Sequence, residues 1–193
     1  MRRDLKPHVL YRVSLGDYSF GPISKTRLRE IFSNGRLVYP LIEGVIAYHC
    51  PNVIMAGDGA GKDLLEYNSE YGITSIQNKS FHSEGKESKK PDKPMIHSTS
   101  SASFEDRKNL TLEDALDYCH KFDWFLYHDL DAIRRDAVEF VVIPSNLVSK
   151  AVESSFYSGT ASDKGKVSLN FIRSNIHEVE TIADSSKEEE NIG

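Results

Sequence analysis

The chain is short of everything that staples or embeds a protein. It holds two cysteines in 193 residues, Cys50 and Cys119, each inside an apolar-periodic stretch, which excludes a disulfide framework and reads as two reduced thiols of an intracellular, cytoplasmic protein. No apolar run follows Met1-Arg2-Arg3, and none elsewhere reaches the roughly 18 residues of a membrane span, so neither a secretory signal nor a membrane partner is expected. Seven prolines and twelve glycines are too few for a collagen or a low-complexity chain. No repeat of fixed period is visible, which sets aside solenoids and propellers.

A strong charge of one sign is also missing from most of the chain. The net charge is -5, but residues 178–193 carry six acids against Lys187 alone, so the tail holds the whole excess and residues 1–177 balance at 23 basic and 23 acidic groups. A neutral body of this kind can present a basic cleft beside acidic metal ligands. What remains is ample apolar material, 39% of residues with 10% aromatic, enough for one core. We therefore expect a single domain over 1–177, with residues 178–193 as an acidic, disordered tail.

The periodicity predicts an extended segment at 9–15, a helix at 25–32 opened by Ser24, and a second helix at 39–50 with Pro40 in its first turn. Residues 62–68 and 73–81 read as a hairpin. Between 82 and 109 the composition turns to Ser, Lys, Glu, Pro and His, which predicts a mobile insert. A helix capped by Thr111, strands at 124–128 and 139–143, a helix at 147–156 and a strand at 166–173 follow. That order implies an α/β fold, a mixed central β-sheet flanked by helices.

Three features invite chemistry. The glycine-rich run at 57–61 lacks the outer glycine and the hydroxyl of a phosphate loop, and is expected to be a plain connection. His49-Cys50 and Cys119-His120 could supply a zinc set only if their elements met, and adjacent helical residues point about 100° apart. The hairpin is more informative. Asp63 opens its first strand, while Gln77 and Lys79 are two apart on the second and so share a face. A carboxylate, an amide oxygen and an ammonium would converge there. Asp63 and Gln77 could ligate Mg²⁺, which prefers oxygen, and Lys79 could activate water and offset phosphate charge, the needs of phosphodiester hydrolysis. An ordinary polar strand face is the alternative account.

Asp63-Leu64-Leu65 with Ile76-Gln77-Asn78-Lys79-Ser80-Phe81 resembles the PD-(D/E)XK core of type II restriction endonucleases, in the minority form where Gln replaces the acid before X-Lys. Lys62 stands where that family often has Pro. Glu43, in Leu41-Ile42-Glu43-Gly44-Val45, resembles the family's helical glutamate near the metal, and Phe140 to Ser145 resembles a late core strand and turn. The resemblance implies a restriction-endonuclease-like fold and a Mg²⁺-dependent enzyme, most often a homodimer, that cuts double-stranded DNA at a short sequence to leave 5′ phosphates. It implies Asp63, Gln77 and Lys79 as catalytic residues, with Asp63, Gln77 and also Glu43 as metal ligands. Ser80 and the insert lysines Lys86, Lys89, Lys90 and Lys93 are the candidate DNA contacts. A second likeness competes: Tyr11 to Gly16, Phe20-Gly21-Pro22 and Leu28-Arg29-Glu30 through Gly35-Arg36-Leu37 resemble the opening of a GYF-like adaptor module, which would make the chain a non-catalytic binder of proline-rich peptides or an interaction domain.

Overall fold

The computed structural model describes residues 4–16, 23–32, 35–56, 62–84, 95–97, 110–158 and 164–182. Its frame is a seven-stranded mixed sheet with helices on both faces, as the order of elements led us to expect. Strand β1 (Val9–Ser14) precedes helices α1 (Lys25–Phe32) and α2 (Gly35–His49). Strands β2 (Val53–Met55), β3 (Leu64–Asn68) and β4 (Gly72–Phe81) then form an antiparallel meander. After β5 (Met95–His97) and α3 (Leu112–His120), β6 (Trp124–Asp129) lies parallel to β4. Helix α4 (Leu130–Arg134) and strand β7 (Ala137–Pro144), antiparallel to both β6 and β1, follow. Helix α5 (Ser145–Ser158), strand β8 (Lys166–Ser168), helix α6 (Leu169–Ser174) and strand β9 (Glu178–Ile182) complete the chain, and the sheet runs β2-β3-β4-β6-β7-β1-β9.

Alternation along β6 sorts the core into two layers. Trp124 and Leu126 point to the face covered by α2, where Ile42, Ile46 and Cys50 pack with Ile76, Phe140 and Val142. Phe125 and Tyr127 point to the other face and meet Ala115 and Cys119 of α3, Val148 and Val152 of α5, and Ile172 of α6. Because every residue of β6 is buried, this strand has no solvent face, and its run of large apolar side chains is what a central strand covered on both sides requires.

Local chemistry fixes the ends. The Thr111 hydroxyl accepts from the Asp114 N–H at 3.1 Å and starts α3, and the Ser24 hydroxyl accepts from Arg27 N–H at 3.3 Å ahead of α1. Between β3 and β4, the Asn68 side-chain oxygen accepts from the N–H groups of Glu70 (2.9 Å) and Tyr71 (3.1 Å). Gly72 then takes φ +77°, which a side chain would strain.

Four expectations are revised. Helix α2 begins at Gly35, so Pro40 lies in its interior, where it cannot donate to the carbonyl four residues back. The alternation of Val167, Leu169 and Phe171 was a misleading strand signal: Ser168 accepts from Phe171 N–H at 3.1 Å and caps α6, whose Leu169 and Ile172 are buried three apart. Met95–His97, inside the proposed mobile insert, pairs with Lys166–Ser168 in a two-stranded sheet. Finally, the acidic segment from 178 begins as a strand. Glu178–Ile182 pairs in parallel with Val9–Val13 and buries Ile182, so the domain boundary at 177 falls inside the sheet. Glutamates on an outermost strand are one way to discourage pairing with other chains. The rest of the proposed tail, 183–193, lies outside the described residues.

That placement separates two truncations. A protein ending at His177, which loses the pairing on one side of β1 and uncovers its apolar neighbours, should be about 2 to 3 kcal/mol less stable to urea than one ending at Ile182. Equal midpoints for the two shortened proteins would show that β9 contributes nothing to the sheet.

Candidate active site

The site forms where β3 is shorter than β4. The Asp63 N–H donates to the Ile76 carbonyl at 3.2 Å and its own carbonyl accepts from Ala56 N–H at 2.9 Å, so the backbone of Asp63 is held on both sides. Strand β3 starts one residue later, at Leu64 opposite Ile76. The N–H of Asn78 therefore faces past the end of β3, and the Asp63 Oδ2 takes it at 2.6 Å in place of a ladder carbonyl. The Gln77 amide Nε2 donates to the same oxygen. Two of the residues paired from the sequence, fourteen positions apart, thus touch.

Lys79 lies beyond Gln77 on the face covered by α3. Its Nζ donates to the Tyr118 hydroxyl at 3.0 Å and sits 5.2 Å from the centre of that ring. Burial lowers its pKa to about 8, against the pull of the Asp63 carboxylate and Cys119, which favour the ammonium. Burial raises the Asp63 pKa, opposed by the Asn78 N–H, Lys79 and Gln77. Tyr118 is pushed up by burial and by the Asp63 charge, and burial pushes the Cys119 thiol up to about 12.

Glu43 reaches the same strand from the opposite face. Its Oε1 accepts from Asn78 Nδ2 at 3.2 Å. Burial pushes its pKa up to about 7, with the Asp63 charge adding to the rise and the Asn78 hydrogen bond opposing it. The structure thus joins Asp63 to Gln77 directly and to Glu43 through Asn78, with Lys79 near enough to feel the Asp63 charge.

The other candidates fare differently. The Ser80 N–H donates to the Tyr39 Oη at 3.1 Å, and the Tyr39 hydroxyl donates to Ser80 Oγ at 3.2 Å, so Ser80 is engaged by α2. Lys86, Lys89, Lys90 and Lys93 lie outside the described residues, as does the glycine run 57–61. Cys50 and Cys119 are buried and packed on opposite faces of the sheet, so the two Cys-His pairs do not meet. Sequence reasoning passed over Asn78, Tyr118, Tyr39 and His128. His128 had a visible signal, an imidazole at the end of the otherwise apolar run Trp124 to Tyr127.

Among the described residues no group of three or more His, Cys, Asp or Glu gathers to hold a metal ion. Mg²⁺ asks for less, since it keeps several waters and is commonly held by one or two carboxylates plus substrate phosphate. Asp63 and Glu43 would be the carboxylates for that use: burial raises the pKa of each, and the Asp63 charge adds to the rise at Glu43. The Gln77 amide presents nitrogen to Asp63 and would have to turn over to offer its oxygen.

Comparison with known proteins adds no family: no family model, no curated protein and no solved structure matches the chain. Among the described residues no helix is long and apolar enough to cross a membrane.

Proposed function

We propose that the chain is a Mg²⁺-dependent endonuclease of the restriction type, a cytoplasmic protein acting as a homodimer on double-stranded DNA and leaving 5′ phosphates. The observation that carries the reading is the convergence of Asp63, Gln77 and Lys79 at the open end of β3, with Glu43 tied to the same strand through Asn78. Asp63 and Glu43 would hold the ion, with Gln77 as a third oxygen donor once its amide turns. When bound, Mg²⁺ supplies positive charge to the phosphate oxygens and lowers the pKa of a water. Lys79, with a pKa of about 8, can orient that water and take its proton. That water would attack phosphorus in line as its proton passes to Lys79, the bond to the 3′ oxygen would break, and the leaving 3′ oxygen would take a proton from solvent. The tethering of Lys79 to Tyr118 limits where its amine can sit, which is the positioning that such catalysis needs.

The adaptor reading fits the site less well. Tyr11, on which that likeness partly rests, is fully buried and stacks on Phe140 at 5.2 Å between centroids, in a strand paired on both sides. It is not offered to a peptide. Incubating the purified protein with phage DNA and Mg²⁺ decides between the two: discrete fragments are expected, and DNA left intact across Mg²⁺, Mn²⁺ and Ca²⁺ would reject the nuclease.

Restoring the acid that the common motif carries gives a sharper check. Gln77→Glu places a second carboxylate against Asp63, so the metal-free protein should lose about 1 to 2 kcal/mol through like-charge repulsion while Mn²⁺ binding tightens severalfold. Calorimetric titration and urea unfolding measure both quantities, and an unchanged affinity would show that position 77 does not face the ion.

A further inference from the structure

Asn78 and His128 are polar side chains buried under α2, where fold stability alone favours apolar ones. Asn78 is 1% and His128 0% exposed, and their neighbours on that face include Ile76 and Leu126. Burying such groups is costly unless their hydrogen bonds are met. The bonds run in one direction. Asn78 Nδ2 donates to Glu43 Oε1 at 3.2 Å, which turns Asn78 Oδ1 toward His128 Nδ1 at 2.7 Å. An amide oxygen only accepts, so His128 carries its proton on Nδ1 and its Nε2 is a bare acceptor. Nε2 is indeed buried without a partner among the described residues. The ring stands edge-on to Tyr39 at 5.1 Å between centroids, which limits its rotation. At the other end, the backbone N–H of Asn78 holds Asp63 at 2.6 Å. One residue therefore grips both carboxylates, and a fully buried histidine fixes which way its amide faces.

We propose that Asn78 and His128 are positioning residues, a buried relay from β6 through β4 that aims the Glu43 carboxylate as the second oxygen ligand of the metal held by Asp63. The inference rests on the nuclease reading and goes beyond it. Neither side chain touches the ion or the DNA. Their work is that of the outer partners of metal ligands, which orient the ligand and whose loss typically weakens metal affinity or activity by about 10- to 100-fold.

The test is Mn²⁺ titration of the full chain by calorimetry, without DNA, on Asn78→Val, His128→Phe and the double substitution. Asn78→Val keeps the backbone N–H to Asp63, and His128→Phe keeps the ring against Tyr39. Removing both partners together leaves no orphaned donor or acceptor between them, so the double variant stays folded if a single one does not. Mn²⁺ affinity should fall about tenfold in each. In cleavage assays the half-saturating Mg²⁺ concentration should rise by the same factor. In a Glu43→Ala background the same substitutions should cost nothing further, because the ligand they aim is gone. Wild-type affinity in the double variant, or a full tenfold loss added on top of Glu43→Ala, overturns the relay while leaving the nuclease standing. A wild-type protein that binds no Mn²⁺ removes the nuclease reading and the relay with it.

Discussion

Asp63→Ala is expected to lower DNA cleavage by at least about a thousandfold while leaving DNA binding measurable. The carboxylate is the most connected group of the site: its Oδ2 takes the Asn78 N–H and the Gln77 amide, and its charge is felt at Glu43, Lys79 and Tyr118. On the nuclease reading its removal takes away the proposed metal ligand, so the loss should fall on the chemical step. Asp63→Asn serves as the control for folding. It keeps an acceptor for the Asn78 N–H but removes the charge, so it should be as inactive as the alanine variant and close to wild type in urea unfolding. Single-turnover cleavage and an anisotropy titration on the same DNA separate the two steps. Cleavage by either variant within about tenfold of wild type would sink the site.

How much of this was readable without coordinates depends on whether the deciding interaction is local. Thr111 with Asp114, and Ser24 ahead of α1, are bonds across three residues, and both caps stand where the sequence placed them. The Asp63 and Gln77 contact was legible for a related reason. A hairpin fixes its own register, so the turn at Asn68 to Gly72 settles which residues of β3 and β4 oppose each other. Local patterns mislead where two periods coincide. Val167, Leu169 and Phe171 alternate, yet Leu169 and Ile172 also sit three apart, and the capping serine decided for the helix. Strand β9 was hidden by charge: Glu178 and Glu180 flank Val179, and only the long-range pairing with β1 gives the segment an ordered role.

The parts of the site that could not be read all depend on pairings distant in sequence. Asn78 and His128 are 50 positions apart, and they meet because β4 and β6 lie side by side in parallel with Ser80 opposite His128. A parallel neighbour is set by the crossover through α3, which no short window encodes. Glu43 was named only through the family resemblance, and its own helix does not single it out. On its helix it is a polar residue between Ile42 and Ile46, and only the packing of α2 over the sheet turns it into a carboxylate buried near a second one.

Lys79→Met should abolish cleavage and yet make the protein more stable at neutral pH. The ammonium is largely buried, and burial lowers its pKa to about 8 even with Asp63 favouring the charged form. The ordinary lysine value is about 10.4, so the unfolded chain holds this proton more tightly than the folded one. Stability from a group with such a lowered pKa is present above the unfolded value and is lost as pH falls from about 10.4 to about 8, so at pH 7 the whole penalty applies. Methionine fills much the same volume beside Tyr118 without a charge to desolvate. The gain is partly offset because Asp63 loses its nearby cation, which leaves about 1 to 3 kcal/mol at pH 7. Unfolding by urea at pH 7 and at pH 10 should show the advantage of the variant shrinking at the higher pH. Activity moves the other way: without an amine to orient water and take its proton, cleavage should fall by at least about a thousandfold. Lys79→Arg should not restore it, since the guanidinium stays charged and cannot accept a proton. A methionine variant that loses stability at pH 7 would mean that Lys79 serves the fold through its bond to Tyr118, whereas one that gains stability and still cuts DNA would remove the lysine from the chemistry.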